Sequence, residues 1–413
     1  MKTTLKLVAI LLTACAGAHA QVVPEATGPG GLPVSANLHY ALRYSQTAEF
    51  GGSLGNWQTA NLSGSVDYAN LNTRLPFALD FTGGYSANLS GPSNGTGFFQ
   101  HLLISQGFVE RKWNVLVSDD VSYTPQSPTT GFSGIPGTGE PIGGSGSNPP
   151  SSQSILTLNT HTISNVASGD FGYHLNYATT LSFGGNSNLL RYPDGNGLDS
   201  DGQQANAGLT RRLDARNSLS GQYIFSHYSY SGLSFTPDIN TALFGYQRTW
   251  SPKLRTNVSV GPQWIGSSSS SVEPPSTTIA ATAGVNYQFR SESASLSYNR
   301  ETSNGGGYLT VATVDSVNAG FSRDFGRDLT IGITGSYART AGFQIGNNGV
   351  TNARYGGAQA TRRLGRYLNV FANYTAVDQS SSLAASQTNV LNQLYQVIGF
   401  GIAYSPRETH LRQ

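Results

Sequence analysis

The chain has 413 residues, of which 50 are glycine, 21 tyrosine and 18 phenylalanine, while only 11% carry a charge. Abundant aromatic residues with few charged ones exclude an intrinsically disordered chain, which combines high net charge with few aromatic residues. The formal net charge of +2 gives no support for a protein that binds nucleic acid or another polyanion.

Residues 1–20 are expected to form a secretory signal peptide. Lys2 and Lys6 supply a short basic region, and an apolar run follows that is too short to span a bilayer. An A-x-A sequence then ends at Ala20, which is the expected cleavage site. The mature protein is therefore expected beyond the inner membrane.

A second processing site stays open. The sequence Leu-Thr-Ala-Cys that ends at Cys15 looks like a bacterial lipobox, which would make Cys15 the lipidated first residue. Cleavage after Ala20 would instead leave a mature chain without cysteine and hence without disulfide or thiol chemistry. Residues 21–35 are then a Pro/Gly-rich periplasmic segment. It is too short for a plug domain, which argues against an energy-coupled transporter.

From residue 36 onward, apolar and polar side chains alternate with period two. In the segment 254–264 the leucine, valine and tryptophan residues share one face, and the serine, asparagine and glutamine residues share the other. The same alternation appears in segments 293–299 and 329–338. Successive side chains of a strand point to opposite faces, so each segment is expected to be a strand with one apolar and one polar face.

Short connections, most of them basic, interrupt this alternation at spacings of about 38 residues. We expect tight turns near eight positions: Arg74, Arg111, Gly169, Leu213, Pro252, Ser291, Gly326 and Gly365. Each interval fits two strands, one tight turn and one longer loop. The pattern predicts about eighteen antiparallel strands between Ala36 and Tyr404, with both ends of the chain on the turn side.

The length of a connection and the sign of its charge are correlated along the chain. The turn regions hold most of the basic residues, whereas the longer loops are mainly acidic. Membrane barrels have short periplasmic turns and long extracellular loops, and only a closed sheet can satisfy its backbone hydrogen bonds in lipid. The sequence therefore predicts an all-β fold, a closed antiparallel transmembrane β-barrel of 16–18 strands over residues 36–404, with a tail at 405–413.

The end of the last expected strand carries a possible assembly signal. Four of its residues look like the terminal strand signal of outer-membrane barrels: Gly399, Phe400, Ile402 and Tyr404. The layout of the mature chain is similar to Gram-negative porin-like barrels, including those associated with exopolysaccharide export. This resemblance implies residence in the bacterial outer membrane, with membrane lipid, the barrel-assembly machinery and periplasmic chaperones as partners. Self-association into a homo-oligomer is left open.

The longest expected loop, residues 125–152, is the strongest functional candidate. It follows the fifth strand, where general porins carry an inward-folded constriction loop, so the resemblance implies a similar role here. Loops of this length without secondary structure are usually functional or disordered. Four side chains are candidates for the constriction: Phe132, Ile135, Glu140 and Ile142. An external loop, favoured by the glycine- and serine-rich composition, remains the alternative.

Polar strand faces rich in serine, threonine, asparagine and glutamine predict a water-filled lumen. Five strand residues are candidate lumen charges: Arg43, Asp67, Asp119, Arg300 and Arg339. No ring of a single sign is visible in the sequence, so weak charge selectivity is expected. The sequence predicts an outer-membrane channel for passive diffusion of small hydrophilic solutes. An exopolysaccharide conduit and a structural or adhesive barrel with an occluded lumen remain alternatives.

Aromatic residues near the strand ends predict membrane-interface girdles. The expected members are Trp57, Trp113, Trp250, Trp264, Tyr230, Tyr308, Tyr337 and Tyr404. The alternative is a row of aromatic residues inside the lumen on which sugar rings stack, although no line of aromatic residues is visible on a single lumen face.

Catalytic and metal-binding motifs are weak, so no enzyme activity, cofactor or metal is expected. The G-x-S-x-G sequence at 51–55 lacks the strand-to-helix turn of a nucleophile elbow. The acidic segment 194–201 departs from the EF-hand pattern, so a solvated turn is favoured over a loose Ca²⁺ site.

Overall fold

The part of the chain that the structure describes folds into a single β-sheet, and the regular elements in it are strands. The computed structural model describes residues 36–51, 55–70, 74–91, 96–126, 160–195, 197–233, 236–267, 276–305, 309–343, 349–382, 392–405 and 409–411. Within these ranges no helix is long and apolar enough to cross a membrane.

Eighteen long strands and one short strand make up the sheet. The first nine are β1 Ala36–Gly51, β2 Gly55–Asn70, β3 Phe77–Ser90, β4 Gly97–Val109, β5 Trp113–Gln126, β6 Thr160–Asn176, β7 Thr179–Arg191, β8 Ser200–Arg212 and β9 Asn217–Tyr230. The others are β10 Pro237–Ser251, β11 Leu254–Ser267, β12 Ser276–Phe289, β13 Glu292–Ser303, β14 Ala312–Phe325, β15 Leu329–Gly342, β16 Val350–Leu364, β17 Leu368–Ser381, β18 Leu394–Tyr404 and β19 Thr409–Leu411.

The sheet closes on itself through β1. This strand pairs antiparallel with β2 on one side and with β18 on the other, while the remaining long strands pair with their neighbours in sequence. The short β19 continues the closing seam, because Thr409–Leu411 pairs with the first three residues of β1. The predicted closed antiparallel barrel of 18 strands is confirmed, and part of the expected tail also joins the wall.

Seven of the eight expected turns connect successive strands near the predicted positions. The turn expected at Gly169 was wrong: this residue lies inside β6 and pairs with Gly185, and the turn comes at 177–178. A Gly-Asp pair is a turn signal by composition, but the ladder between β6 and β7 continues through it. Gly326 and Gly365 occupy tight turns with φ of 71° and 76°, a left-handed conformation that glycine adopts without steric cost.

The outward face of the wall is apolar and exposed. In β11, Val258 and Val260 are 51% and 50% exposed, whereas Gln263 on the alternate face is 4% exposed. An apolar surface that continues around a closed barrel is suited to contact with lipid. Because the convex face is the apolar one, the polar faces line the interior. The molecule is thus a closed barrel with an apolar outer face and a polar lumen.

Most of the expected girdle residues lie on this outward face: Trp113, Trp250, Trp264, Tyr337 and Tyr404. Trp57 and Tyr230 do not, because their positions in β2 and β9 put them on the inward face, where both are buried. Trp57 packs there against Tyr395, with ring centroids 5.5 Å apart. Tyr308 lies outside the described residues.

Candidate functional site: the barrel lumen

Small polar side chains line the lumen and satisfy one another along the wall. The Oγ atoms of Ser118 and Ser168 are 2.6 Å apart, and those of Ser122 and Ser164 are 2.7 Å apart. A hydroxyl group can both donate and accept a hydrogen bond, so such pairs need no charge. This lining suits the aqueous interior of a wide barrel.

Three carboxylates lie along one register row on the inward face of β2–β5. Asp67 pairs with Asp80 across β2 and β3, and Asp80 continues through Leu103 to Asp120 on β5. We name Asp67, Asp80 and Asp120 the acidic row. Like charges opposite one another destabilise a sheet, so the row is stable only if cationic or hydrogen-bonding groups lie close to it.

His101 and Arg43 are those groups. Nε2 of His101 lies 2.9 Å from Oδ1 of Asp120, and both side chains are partly exposed to the lumen. Arg43 shares the inward face of β1 and interacts electrostatically with Asp80. Three carboxylates therefore face one guanidinium and two imidazoles, because His39 on β1 is the register partner of Asp67. With neutral imidazoles, the formal charge of this part of the wall is negative.

Negative charge also predominates on the rest of the inward face. Away from the turn-side strand ends, the inward carboxylates of the described strands are Glu49, Asp67, Asp80, Asp120, Asp170 and Glu301. Besides Arg43, the inward arginines of those strands lie at the turn-side ends: Arg212, Arg255 and Arg363. The lumen is thus negative within the span and positive at its turn-side mouth.

Glu49 is the most enclosed of the inward carboxylates. It accepts hydrogen bonds from Thr47 and Thr59 at 3.2 and 3.3 Å, and from the hydroxyl of Tyr395. These contacts join β1, β2 and β18 at the seam where the barrel closes. Glu49 therefore contributes to closure of the wall. Within the acidic row, Asp67 is also buried, whereas the side chain of Asp120 is 43% exposed to the lumen.

The five candidate lumen charges divide between the two faces. Arg43 and Asp67 lie inside. Asp119 faces outward with Ile104 and Val117, which are exposed apolar residues, and it accepts a hydrogen bond of 2.6 Å from Asn165. Its expected lumen position was wrong because Asp119 has the same strand parity as the valines of β5.

Arg300 and Arg339 also lie on the outward face, which corrects their expected position. Nη1 of Arg300 lies 2.8 Å from Oδ1 of Asp315, and Arg339 is the register partner of Asp315 on the other side. Leu296 on β13 and Ile333 on β15 have the same parity and are exposed to the outside. Titratable residues on the inward face beyond the five candidates include His39, Glu49, Asp80, His101, Asp120, Asp170 and Glu301.

The connection between β13 and β14 bends into the barrel. Nδ2 of Asn304 donates to Oγ of Ser200 at 3.0 Å, and the hydroxyl of Tyr230 donates to the carbonyl oxygen of Asn304 at 3.2 Å. Ser200 begins β8 and Tyr230 ends β9, several strands away around the wall. The connection therefore reaches across part of the lumen at its loop-side end.

An apolar contact fixes the same connection. Val311 is 1% exposed and packs in one cluster with Tyr230, Ile239 and Ile265. We name the described residues of the connection, 304–305 and 309–311, the lumen segment. It narrows the loop-side mouth. The sequence offered one signal for it, the apolar residues at 309 and 311 within a short loop.

The four candidate constriction residues, Phe132, Ile135, Glu140 and Ile142, lie outside the described residues. Their role stays a prediction. The lumen segment belongs to a different part of the chain, since it comes from the connection after β13 and not from the one after β5.

Each acidic side chain of the segment 194–201 has its own protein partner. Oδ2 of Asp194 accepts the backbone N–H of His161 at 2.8 Å and lies 2.6 Å from Nδ1 of the same residue. These backbone and side-chain hydrogen bonds lower the pKa of Asp194 below its ordinary value. Asp201 forms a bidentate pair with Arg191. Across the described part of the chain, no three His, Cys, Asp or Glu residues are grouped to hold a metal ion.

The candidate assembly signal lies on β18, the strand that closes the barrel. Phe400, Ile402 and Tyr404 point outward and are exposed, whereas Gly399 lies on the inward face. An exposed apolar row on the last strand is available to a partner before closure. Recognition by the assembly machinery stays a prediction.

The sequence matches no protein-family model and no curated relative. The fold is similar to OccK2 (OpdF) of Pseudomonas aeruginosa, with 11% identity over 92% of this chain and 100% of that chain and a TM-score of 0.48. The glucuronate complex of OccK2 gives 12% identity, 91% and 99% coverage and a TM-score of 0.47. A BenF-like porin from Pseudomonas fluorescens Pf-5 gives 12% identity, 91% and 99% coverage and a TM-score of 0.47. The similarity is one of fold.

Proposed function

We propose that the protein is an outer-membrane channel through which small hydrophilic solutes diffuse passively, with cationic and neutral solutes favoured over anionic ones. One observation carries the proposal: the closed wall has a polar inward face on which carboxylates outnumber guanidinium groups within the span. A polar lumen admits hydrated solutes, and its sign ranks them by charge.

The electrostatic contribution is moderate. Two unit charges about 10 Å apart in water interact by about 0.4 kcal/mol, which changes a local concentration about twofold. Several carboxylates of one sign add, and salt screens them because the Debye length is about 10 Å at 0.1 M. We therefore expect a selectivity that is clear at low salt and weak at high salt.

The lumen segment would set the size limit at the loop-side mouth. Its position is held by two hydrogen bonds and by the packing of Val311. Small solutes would pass beside the segment, and the acidic row lies on the wall formed by other strands. Size selection and charge selection would thus be made by different parts of the lumen.

Planar-bilayer recording of the purified mature chain tests the proposal. We expect stable open channels and, in a KCl gradient, a reversal potential of the sign that reports K⁺ preference. In liposome swelling, lysine and a neutral sugar should enter faster than glucuronate, the anion seen with OccK2. A closed protein, or a preference for Cl⁻ and glucuronate, would contradict the proposal.

An exopolysaccharide conduit is the second candidate. The excess of one sign of charge in the lumen favours it. The discriminating measurement is block of the K⁺ current by a neutral or cationic glycan added from the turn side. In a diffusion channel, the degree of block would depend only on the size of the glycan and not on its charge.

A further inference from the structure

The outward face of β13–β16 changes from apolar to charged at one level of the wall. Toward the turn side, Leu296, Val317 and Ile333 are 52%, 39% and 56% exposed. Toward the loop side, the same faces carry Arg300, Asp315, Arg339, Asn352 and Arg354. The charged residues therefore stand directly above a lipid-facing apolar strip.

Two tyrosines mark the boundary between the strip and the charges. The hydroxyl of Tyr298 donates to Oδ1 of Asp315 at 3.0 Å, and that of Tyr337 donates to Oδ1 of Asn352 at 3.0 Å. Tyrosine rings prefer the membrane interface, with the ring toward the apolar side and the hydroxyl toward the polar side. Both hydroxyls point as this preference requires.

The position of Arg339 along the membrane normal also agrees with a place at the membrane interface. Leu329 begins β15, and Arg339 follows ten positions later. At about 3.4 Å per residue and a tilt near 45°, the two lie about 24 Å apart along the membrane normal, which matches an apolar band about 25 Å tall. Arg339 thus lies at the headgroup level, and the loop side of such barrels is the extracellular side.

The local charges do not cancel. The carboxylate of Asp315 is bound by Nη1 of Arg300 at 2.8 and 3.1 Å. Arg339 is exposed and forms no ion pair or hydrogen bond among the described residues. Arg354 and Asp378 approach to 3.5 Å with both side chains more than half exposed, which is a weak pair. Three guanidinium groups therefore meet two carboxylates.

We propose that Arg300, Arg339 and Arg354 bind the phosphate of a phosphorylated lipid in the outer leaflet of the membrane. Guanidinium groups bind phosphate in a bidentate manner, and the apolar strip below them would receive the acyl chains. The bound molecule must combine an anionic headgroup with apolar tails, because the arginine cluster and the apolar strip adjoin each other on the wall. This proposal is independent of solute passage.

Arg191 provides a matched control within the same barrel. It lies on the outward face near the loop-side end of β7, but both of its terminal nitrogens already have protein partners. Nη2 binds both oxygens of Asp201 at 2.7 and 2.9 Å, and Nη1 donates to two carbonyl oxygens. Because Nη1 and Nη2 of Arg191 are already hydrogen-bonded within the protein, this guanidinium has less to offer a phosphate than that of Arg339.

Retention of lipid by the purified mature barrel tests the proposal. The barrel is placed in phosphatidylcholine nanodiscs that contain a bisphosphorylated lipopolysaccharide or the same lipid after phosphatase treatment, and bound copies are counted by native mass spectrometry. We expect about a tenfold preference for the phosphorylated form. Arg339→Gln combined with Arg354→Gln should abolish the preference, while Arg191→Gln should keep it, and bilayer conductance should stay unchanged in both.

Three outcomes would overturn the assignment. They are equal retention of the two lipids by the wild type, an equal loss in the Arg191→Gln control, and complete displacement of the lipid by inorganic phosphate at low concentration. The wild-type comparison of the two lipids decides the question even if the double variant fails to fold.

Discussion

Asp119 and Asp120 are neighbours in β5 but lie on opposite faces of the barrel wall. Asp120 is 2.9 Å from Nε2 of His101 inside the lumen, while Asp119 accepts a hydrogen bond from Asn165 on the outside. A step of one residue along a strand reverses the direction of the side chain. Two identical carboxylates therefore sample two different environments of one strand.

The pair gives a matched test of charge selection. Asp120→Asn should lower the K⁺/Cl⁻ permeability ratio about twofold at low salt, since one charge about 10 Å from the ion path contributes about 0.4 kcal/mol. Asp119→Asn should leave the ratio unchanged. Reversal potentials in a KCl gradient measure both. An equal effect of the two variants would remove the basis for an acidic lumen face.

Strand number and closure could be predicted from the sequence because period-two alternation and regular turns repeat many times, so one wrong turn at Gly169 did not alter the count. The sequence periodicity also determines on which face of the wall each charged side chain lies. Arg300 continues the apolar row of Leu296 and Tyr298, and Arg339 continues that of Tyr337. Charges were expected inside on general grounds, whereas the headgroup level of the outer face also tolerates them.

The acidic row and the lumen segment could not be predicted in the same way. The row depends on register: Asp67, Asp80 and Asp120 become neighbours only after three strands are aligned. The lumen segment depends on contacts between residues far apart in the chain, such as Asn304 with Ser200. Neither relation leaves a periodic trace in the sequence.

The hydroxyl of Tyr230 should help to hold the lumen segment in place. Tyr230→Phe removes its hydrogen bond to the carbonyl of Asn304, worth about 1 kcal/mol. We expect larger current fluctuations and a higher mean conductance. Tyr223→Phe is the matched control, because that hydroxyl donates to Asn240 on the outer face. Identical single-channel records for the two variants would show that the segment does not limit the current.

The link between Asp194 and His161 should be lost in acid. The pKa of Asp194 is lowered by the backbone N–H and then the side chain of His161, so the stabilisation is present above the ordinary value of 3.8 and disappears as the pH falls through the depressed value. The protection factor of the His161 backbone amide, which corrects the exchange rate for its intrinsic pH dependence, should therefore fall in that range. Asp194→Asn should give the His161 amide a low protection factor that no longer changes with the ionisation of residue 194.

Asp214 lies in the turn between β8 and β9, at the other end of the barrel from Asp194, and serves as the control site in the same protein. Its pKa is lowered by the side chain of Asn217 and then by the backbone N–H of Arg216. The protection factor of the Asn217 backbone amide, which donates to Oδ1 of Asp214, should fall in acid as well, and Asp194→Asn should not change it. If Asp194→Asn altered both amides alike, the effect would be global and not local to the connection.

The closing seam should not tolerate a side chain at Gly401. A Cβ atom there would lie 2.5 Å from the carbonyl oxygen of Tyr44 in β1 and would also meet the ring of Phe371. Overpacking of this kind costs about 1–3 kcal/mol, and here it falls on the strand pair that closes the barrel. Gly401→Ala should lower the urea midpoint of unfolding, whereas Gly356→Ala, at a position with open space around it, should not. Equal midpoints for the two variants would mean that β1 and β18 can separate enough to admit a methyl group.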